Sequence, residues 1–215
     1  VGAVRTGKST FIKRVIENLV VPNIEDDFDK KKCLDEIPQS AEGKTIMTTE
    51  PKFVPSNGAT IKIDSFETNI KLVDCVGYLI PNSIGSMEDD KPRMVKTPWQ
   101  EQEIPFEEAA EIGTEKVIKE HSTIGIVVTQ DGSIGEFKRE DYLEAEHRVV
   151  NELTTIGKPF IVILNTTHPT QIDTKELSNN LKEEYNVPVL PINVDSMTEK
   201  DMYDILREAL YEFPV

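Results

Sequence analysis

The chain has 215 residues, 38% of them hydrophobic, enough to bury one core of ordinary size and too few to suggest a second full domain. With 39 acidic against 24 basic residues its formal charge is −15, so its overall field repels a phosphate backbone and argues against nucleic acid as a partner. No run approaches the roughly 20 apolar residues of a membrane span, no signal-like segment opens the chain, and Cys33 and Cys75 are too few for a disulfide framework and lack zinc-ligand spacing, so a soluble, reduced, cytoplasmic protein is expected.

In chain order, Gly2-Ala3-Val4-Arg5-Thr6-Gly7-Lys8-Ser9 comes first and matches G-x-x-x-x-G-K-[S/T], the phosphate-loop (Walker A) pattern. The sequence lacks an initiator Met and opens inside this loop, so it reads as a domain cut from a longer protein. About five to eight apolar, β-branched residues are expected directly before Val1, as the strand that feeds the loop and lies at the centre of the sheet. Phe11, Ile12, Val15, Ile16 and Leu19 then recur at helical spacing, predicting a helix over Ser9–Leu19. From Val20 onward the chain is polar and charged and carries Pro38, Pro51 and Pro55, which suits a long loop. Alternation over Ala59–Phe66 and Asn69–Gly77 predicts an antiparallel hairpin. Residues 78–105, which include Trp99, have no period and read as an irregular insertion, with Trp99 packing its own loop onto the domain.

Helical spacing resumes over Phe106–His121. Thr123–Gln130, Lys158–Asn165 and Val187–Val194 are nearly continuous apolar runs, as strands covered on both faces require. They alternate with helical segments Glu140–Leu153, Thr174–Tyr185 and Thr198–Glu212. The expected fold is a three-layer α/β P-loop NTPase with a mostly parallel sheet and one antiparallel edge strand.

The phosphate loop implies a nucleotide and Mg²⁺. Backbone N–H groups from Gly2 through Thr10 surround the phosphates, Lys8 bridges the β- and γ-phosphates, and the Ser9 hydroxyl binds Mg²⁺. Asp74 ends an apolar run and begins D-x-x-G (Asp74-Cys75-Val76-Gly77), so its carboxylate is the second Mg²⁺ partner and the Gly77 N–H faces the γ-phosphate. Phosphate loop, helix, long loop, hairpin and D-x-x-G follow in the order of translation-factor-like (TRAFAC) GTPases. In that class a loop threonine reaches Mg²⁺ and senses the γ-phosphate. Thr45, Thr48 and Thr49 lie in the corresponding loop, with Thr48 and Thr49 the best placed.

Two departures matter. Tyr78, not glutamine, follows D-x-x-G, so the attacking water must be positioned some other way. Where guanine is normally read by N-K-x-D, the chain has Asn165-Thr166-Thr167-His168, which keeps the asparagine and loses the carboxylate, so adenine becomes admissible. Asp131, after the strand ending at Gln130, is a supporting candidate at the same sheet edge, while His121, His147 and His168 share no metal-ligand spacing. An ATPase, a GTPase-like switch and a nucleotide-binding scaffold without hydrolysis all stay open on these residues.

GAVRTGKSTFIKR, DEIPQSAEGKTIMTTEPKFVP, KLVDCVGY, PFEEAAEIGTEKVI, EHSTIGIVVTQDGSIG and LREALYEFPV together resemble the stage IV sporulation protein A family along nearly the whole chain. That resemblance implies an N-terminal ATPase domain followed by further domains. ATP hydrolysis would drive self-assembly into the basement layer of the spore coat, on the forespore surface in the mother-cell cytoplasm. The family's phosphate-loop lysine falls on Lys8, its Walker B aspartate on Asp74 and its threonine sensor on Thr48 and Thr49. It also implies two partners, an amphipathic membrane-anchoring coat peptide and a LysM-containing coat morphogenetic protein, so that contact with membrane is indirect.

Overall fold

A computed structural model describes residues 1–38, 50–63, 66–81, 83, 86–88 and 91–213. Helix α1 (Lys8–Val15) runs on as a π-turned segment, Ile16–Val20, and buries the stripe read from the sequence: Phe11, Ile12, Val15, Ile16 and Leu19 are each at most 6% exposed. Helix α2 (Asp27–Asp35) stands where the sequence suggested only loop. Periodicity failed there because the helix buries Cys33 alone. Its local signal is a cap, the Asp26 side chain accepting from the N–H groups of Phe28 and Asp29.

Strands β1 (Lys52–Ile63) and β2 (Phe66–Asp74) form the expected antiparallel hairpin with wider bounds. β1 starts seven residues before Ala59, because a register shift between Val54 and Ala59 lets the strand carry Pro55, a residue that ordinarily argues against one. The connection expected before Asn69 lies largely inside β2.

The insertion is more regular than predicted. It holds two antiparallel pairs, β3 (Met87–Glu88) with β4 (Lys91–Pro92) and β5 (Met94–Thr97) with β6 (Gln100–Pro105), the second turning at Pro98-Trp99. Both are short and largely exposed, so they needed no apolar alternation for the sequence to display. Helix α3 (Phe106–Lys116) follows, with a π-turned end, Val117–His121.

The second half alternates as read: β7 (Gly125–Gln130), α4 (Arg139–Thr155), β8 (Phe160–Asn165), α5 (Ile172–Tyr185), β9 (Val189–Ile192) and α6 (Glu199–Tyr211). β7, β8 and β9 form a three-stranded parallel sheet in that order. β8 is buried along its whole length and sorts its side chains by parity. Ile161 and Ile163 pack with α1 and α6, through residues such as Ile12, Met202 and Ile205. Val162 and Leu164 pack with α4 and α5, through Tyr142, Val149 and Leu181. Helices therefore cover both faces.

Residues 1–4 join the hairpin side to this sheet. The Val1 amine donates to the Ile126 carbonyl and Val128 N–H donates to the Val1 carbonyl, each over 2.9 Å. On the other side Ala3 bridges Tyr78 in parallel register. The phosphate loop thus leaves from between β7 and the segment that continues β2. No helix among the described residues is long and apolar enough to cross a membrane.

Candidate functional site

The loop from Gly2 to Gly7 turns on residues with positive φ: Gly2 at 145°, Arg5 at 61° and Gly7 at 98°. Gly2 is required by close approach, since a Cβ there would lie 2.3 Å from the Val128 carbonyl oxygen. Ala3 and Val4 bury their side chains, and the Val4 N–H is spent on the Tyr78 carbonyl at 2.8 Å, so the first half of the loop pairs as strand. What remains for an anion is the second half. The first intrahelical bond of α1 runs from Phe11 N–H to the Gly7 carbonyl, which leaves the N–H groups of Lys8, Ser9 and Thr10 without intrahelical acceptors at the positive end of the helix.

Lys8 is 7% exposed and its ammonium reaches back to the Ala3 carbonyl at 2.5 Å, an oxygen that also accepts from the Thr6 hydroxyl at 3.0 Å. Burial holds the Lys8 pKa below the ordinary lysine range, against the opposing pull of Cys75 and Asp74. The Ser9 hydroxyl donates to Asp74 Oδ2 over 2.7 Å, joining two motifs that are 65 residues apart. The other carboxylate oxygen, Oδ1, is buried and accepts no hydrogen bond among the described residues. An orphaned carboxylate oxygen beside a serine hydroxyl at a helix N-terminus fits Mg²⁺, a hard cation that takes few protein oxygens and completes its shell with water and phosphate. Ser9 and Asp74 are the residues that would hold it.

Other predicted residues lie close by in different roles. The Gly77 N–H, expected to face a γ-phosphate, instead donates to the Thr114 hydroxyl on α3 at 3.1 Å. Tyr78 is 2% exposed; its ring lies under the Arg148 guanidinium and its hydroxyl donates to Glu152 at 2.6 Å, so it is part of the packing between the segment that follows β2 and α4. Asn165 spends both ends of its amide internally, donating to the Thr6 carbonyl at 3.0 Å and accepting from Val194 N–H at 3.1 Å. A Cβ on Gly7 would lie 2.5 Å from that amide nitrogen. The Asp131 oxygens accept from Ser133 N–H and from the Thr166 hydroxyl. Thr45, Thr48 and Thr49 lie outside the described residues. Of the histidines, His147 pairs with Glu184 and His121 packs edge-on against Phe53.

Sequence reasoning missed Thr114 and Gln130. Gln130 is 1% exposed and donates to the Arg5 carbonyl at 2.9 Å. Its signal was a polar residue closing an apolar strand run; only the structure pairs it in register with Asn165 on β8. Thr114 had none, because its hydroxyl acquires its role only where α3 docks.

Residues 1–214 match the family described as Stage IV sporulation protein A, ATPase domain. The chain is 60% identical to a stage IV sporulation protein A of Bacillus anthracis, 56% to that of Bacillus subtilis (strain 168) and 53% to that of Clostridioides difficile (strain 630). In each case all of the chain is covered, and it spans 44% of the relative's length. A match along this whole length, on a sheet whose loop, Ser9 and Asp74 converge, places the chain in the stage IV sporulation protein A family, within its ATPase domain.

Proposed function

We propose that this chain binds ATP with Mg²⁺ and hydrolyses it, and that hydrolysis drives self-assembly of the protein into the basement layer of the spore coat on the forespore surface. The Ser9–Asp74 contact carries the reading. It brings the hydroxyl of the phosphate loop and the carboxylate of D-x-x-G to one point, with a buried oxygen to spare. Bound Mg²⁺ supplies charge neutralisation at the transferred phosphoryl group. Lys8 and the N–H groups opening α1 bind and orient the phosphates, and Asp74 holds Ser9 in place. Tyr78, buried against Arg148 and Glu152, takes no part in positioning water.

The translation-factor-like subtype rests on element order, with the antiparallel β1–β2 hairpin between the first helix and D-x-x-G. Thr48 and Thr49 are the proposed γ-phosphate sensors. Adenine is favoured over guanine because Thr166 and Thr167 supply no carboxylate, and both Asp131 oxygens already accept internal bonds. The amphipathic anchoring peptide and the LysM-containing protein remain proposed partners of the whole protein. Calorimetric titration with ATP and with GTP, each with Mg²⁺, tests the base. Tighter ATP binding is expected, and a clear GTP preference turns the reading into that of a GTPase-like switch.

A further inference from the structure

Two side-chain amides hold the phosphate loop from behind. Gln130 and Asn165 are register partners at the C-terminal ends of β7 and β8. Their Nε2 and Nδ2 atoms donate to successive loop carbonyls, Arg5 at 2.9 Å and Thr6 at 3.0 Å. A trans peptide is planar and its C=O and N–H point opposite ways. Drawing the Arg5 and Thr6 carbonyls toward the strand ends therefore turns the Thr6 and Gly7 N–H groups away from the sheet and into the loop.

We infer that Gln130 is a positioning residue for nucleotide phosphates: it fixes the Arg5–Thr6 peptide so that the loop presents its N–H groups to the anion. This inference rests on the nucleotide reading above.

Three observations support a functional role beyond packing. The peptide Gln130 holds follows Arg5, a non-glycine residue at φ 61°, a conformation that persists only when its surroundings enforce it. Nε2 also donates to the Tyr142 hydroxyl at 2.6 Å, while Oε1 is buried and accepts nothing among the described residues. Rotating the amide to relieve Oε1 would set it against the Arg5 carbonyl, acceptor to acceptor. The orphan is a standing cost, of the kind native proteins keep where a site needs it. Finally, the residue is anchored, since Arg139 donates to the Gln130 carbonyl at 3.2 Å and to the Thr129 hydroxyl at 3.0 Å.

The test compares Gln130→Met, which keeps length without a donor, with Tyr142→Phe, which removes the other partner of the same nitrogen. Mg·ATP affinity, KM, kcat and thermal stability are measured on the protein. The N–H contacts are made equally in ground and transition states, so Gln130→Met should raise Kd and KM by about tenfold and change kcat by less than about threefold. Tyr142→Phe should lower the melting temperature and leave Kd within about twofold of wild type. Gln130→Asn, which keeps an amide too short to reach Arg5, should repeat the loss of affinity. Unchanged affinity in Gln130→Met or Gln130→Asn, or an equal loss in Tyr142→Phe, overturns the inference and leaves the nucleotide reading intact. A wild-type protein that binds no Mg·ATP overturns both.

Discussion

Ser9 Oγ lies 2.7 Å from Asp74 Oδ2, so the last residue of the phosphate loop and the first of D-x-x-G meet at the N-terminus of α1. Neither motif alone identifies a reaction centre; a G-x-x-x-x-G-K-S turn or a strand-end aspartate has many uses. Their meeting, with Asp74 Oδ1 buried and accepting no hydrogen bond among the described residues, is what supports the proposed cation site beside the nucleotide phosphates.

Lys8→Met should separate stability from function. Its ammonium is buried, and the Ala3 carbonyl keeps the Thr6 hydroxyl when Lys8 is lost, so nothing is orphaned by the change. The ligand-free variant should melt at the same temperature as wild type or a few degrees higher, and the ATP-induced rise in melting temperature should vanish. Since the folded Lys8 pKa is depressed, the unfolded chain binds more protons. Wild-type stability should therefore rise as pH climbs through the folded value toward about 10.4, and the variant should lack that rise. Scanning fluorimetry across pH, with and without ATP, checks all three.

Glu146 anchors a buried network. It is 1% exposed, pairs with Arg139 at 2.5 and 2.6 Å, and accepts from Tyr185 and Thr129. Burial pushes its pKa up, but the Arg139, Thr129 and Tyr185 bonds outweigh burial and hold it below the ordinary carboxylate value. Its contribution is then fully present above about pH 4.3 and is lost as pH falls through the lower folded value. Glu146→Gln should cost about 3–5 kcal/mol at pH 7, with the gap from wild type narrowing in acid, as read by urea denaturation.

Gly77→Ala and Gly135→Ala both force a side chain onto positive φ, at 91° and 80°. At Gly135 an added Cβ meets no other atom of the described residues within 4 Å beyond its chain neighbours, so the cost should be the backbone strain of about 1 kcal/mol. At Gly77 the new Cβ meets the Gly2 carbonyl at 2.2 Å and Lys8 Nζ at 2.7 Å, so the loop itself must move. Gly77→Ala should cost at least about 2 kcal/mol more than Gly135→Ala and abolish ATP binding, measured by denaturant titration and calorimetry.

Tyr78→Phe should lose about 1 kcal/mol of stability with the bond to Glu152 and keep its phosphate-release rate. A turnover loss beyond about tenfold, seen in steady-state kinetics, would bring Tyr78 into the reaction itself.

The phosphate loop was legible because its geometry is local: eight consecutive residues carry the glycines, the lysine and the hydroxyl. The apolar runs of β7 and β8 and the stripe of α1 were legible because burial dictates them. Helix α2 and the β3–β6 pairs were not, since exposed elements with one buried residue or none leave no period to read. Asn165 stands out in the sequence as the asparagine kept from the guanine-reading pattern; that its amide braces the loop is not legible there, because a strand end can turn toward base or loop and only the register decides. Tyr78 stood where a catalytic residue often sits, yet the Arg148 and Glu152 side chains of α4 claim it, a contact made across 70 residues or more.

The most direct test of the account is multiple-turnover phosphate release with ATP and Mg²⁺, measured on wild type and Asp74→Asn alongside ATP binding. The variant keeps the size of the side chain and loses the charge that completes the cation site. Wild type should turn over repeatedly, and Asp74→Asn should bind ATP but release phosphate at least about a hundredfold more slowly. A wild type that binds ATP without turnover, or an Asp74→Asn protein as fast as wild type, would contradict it.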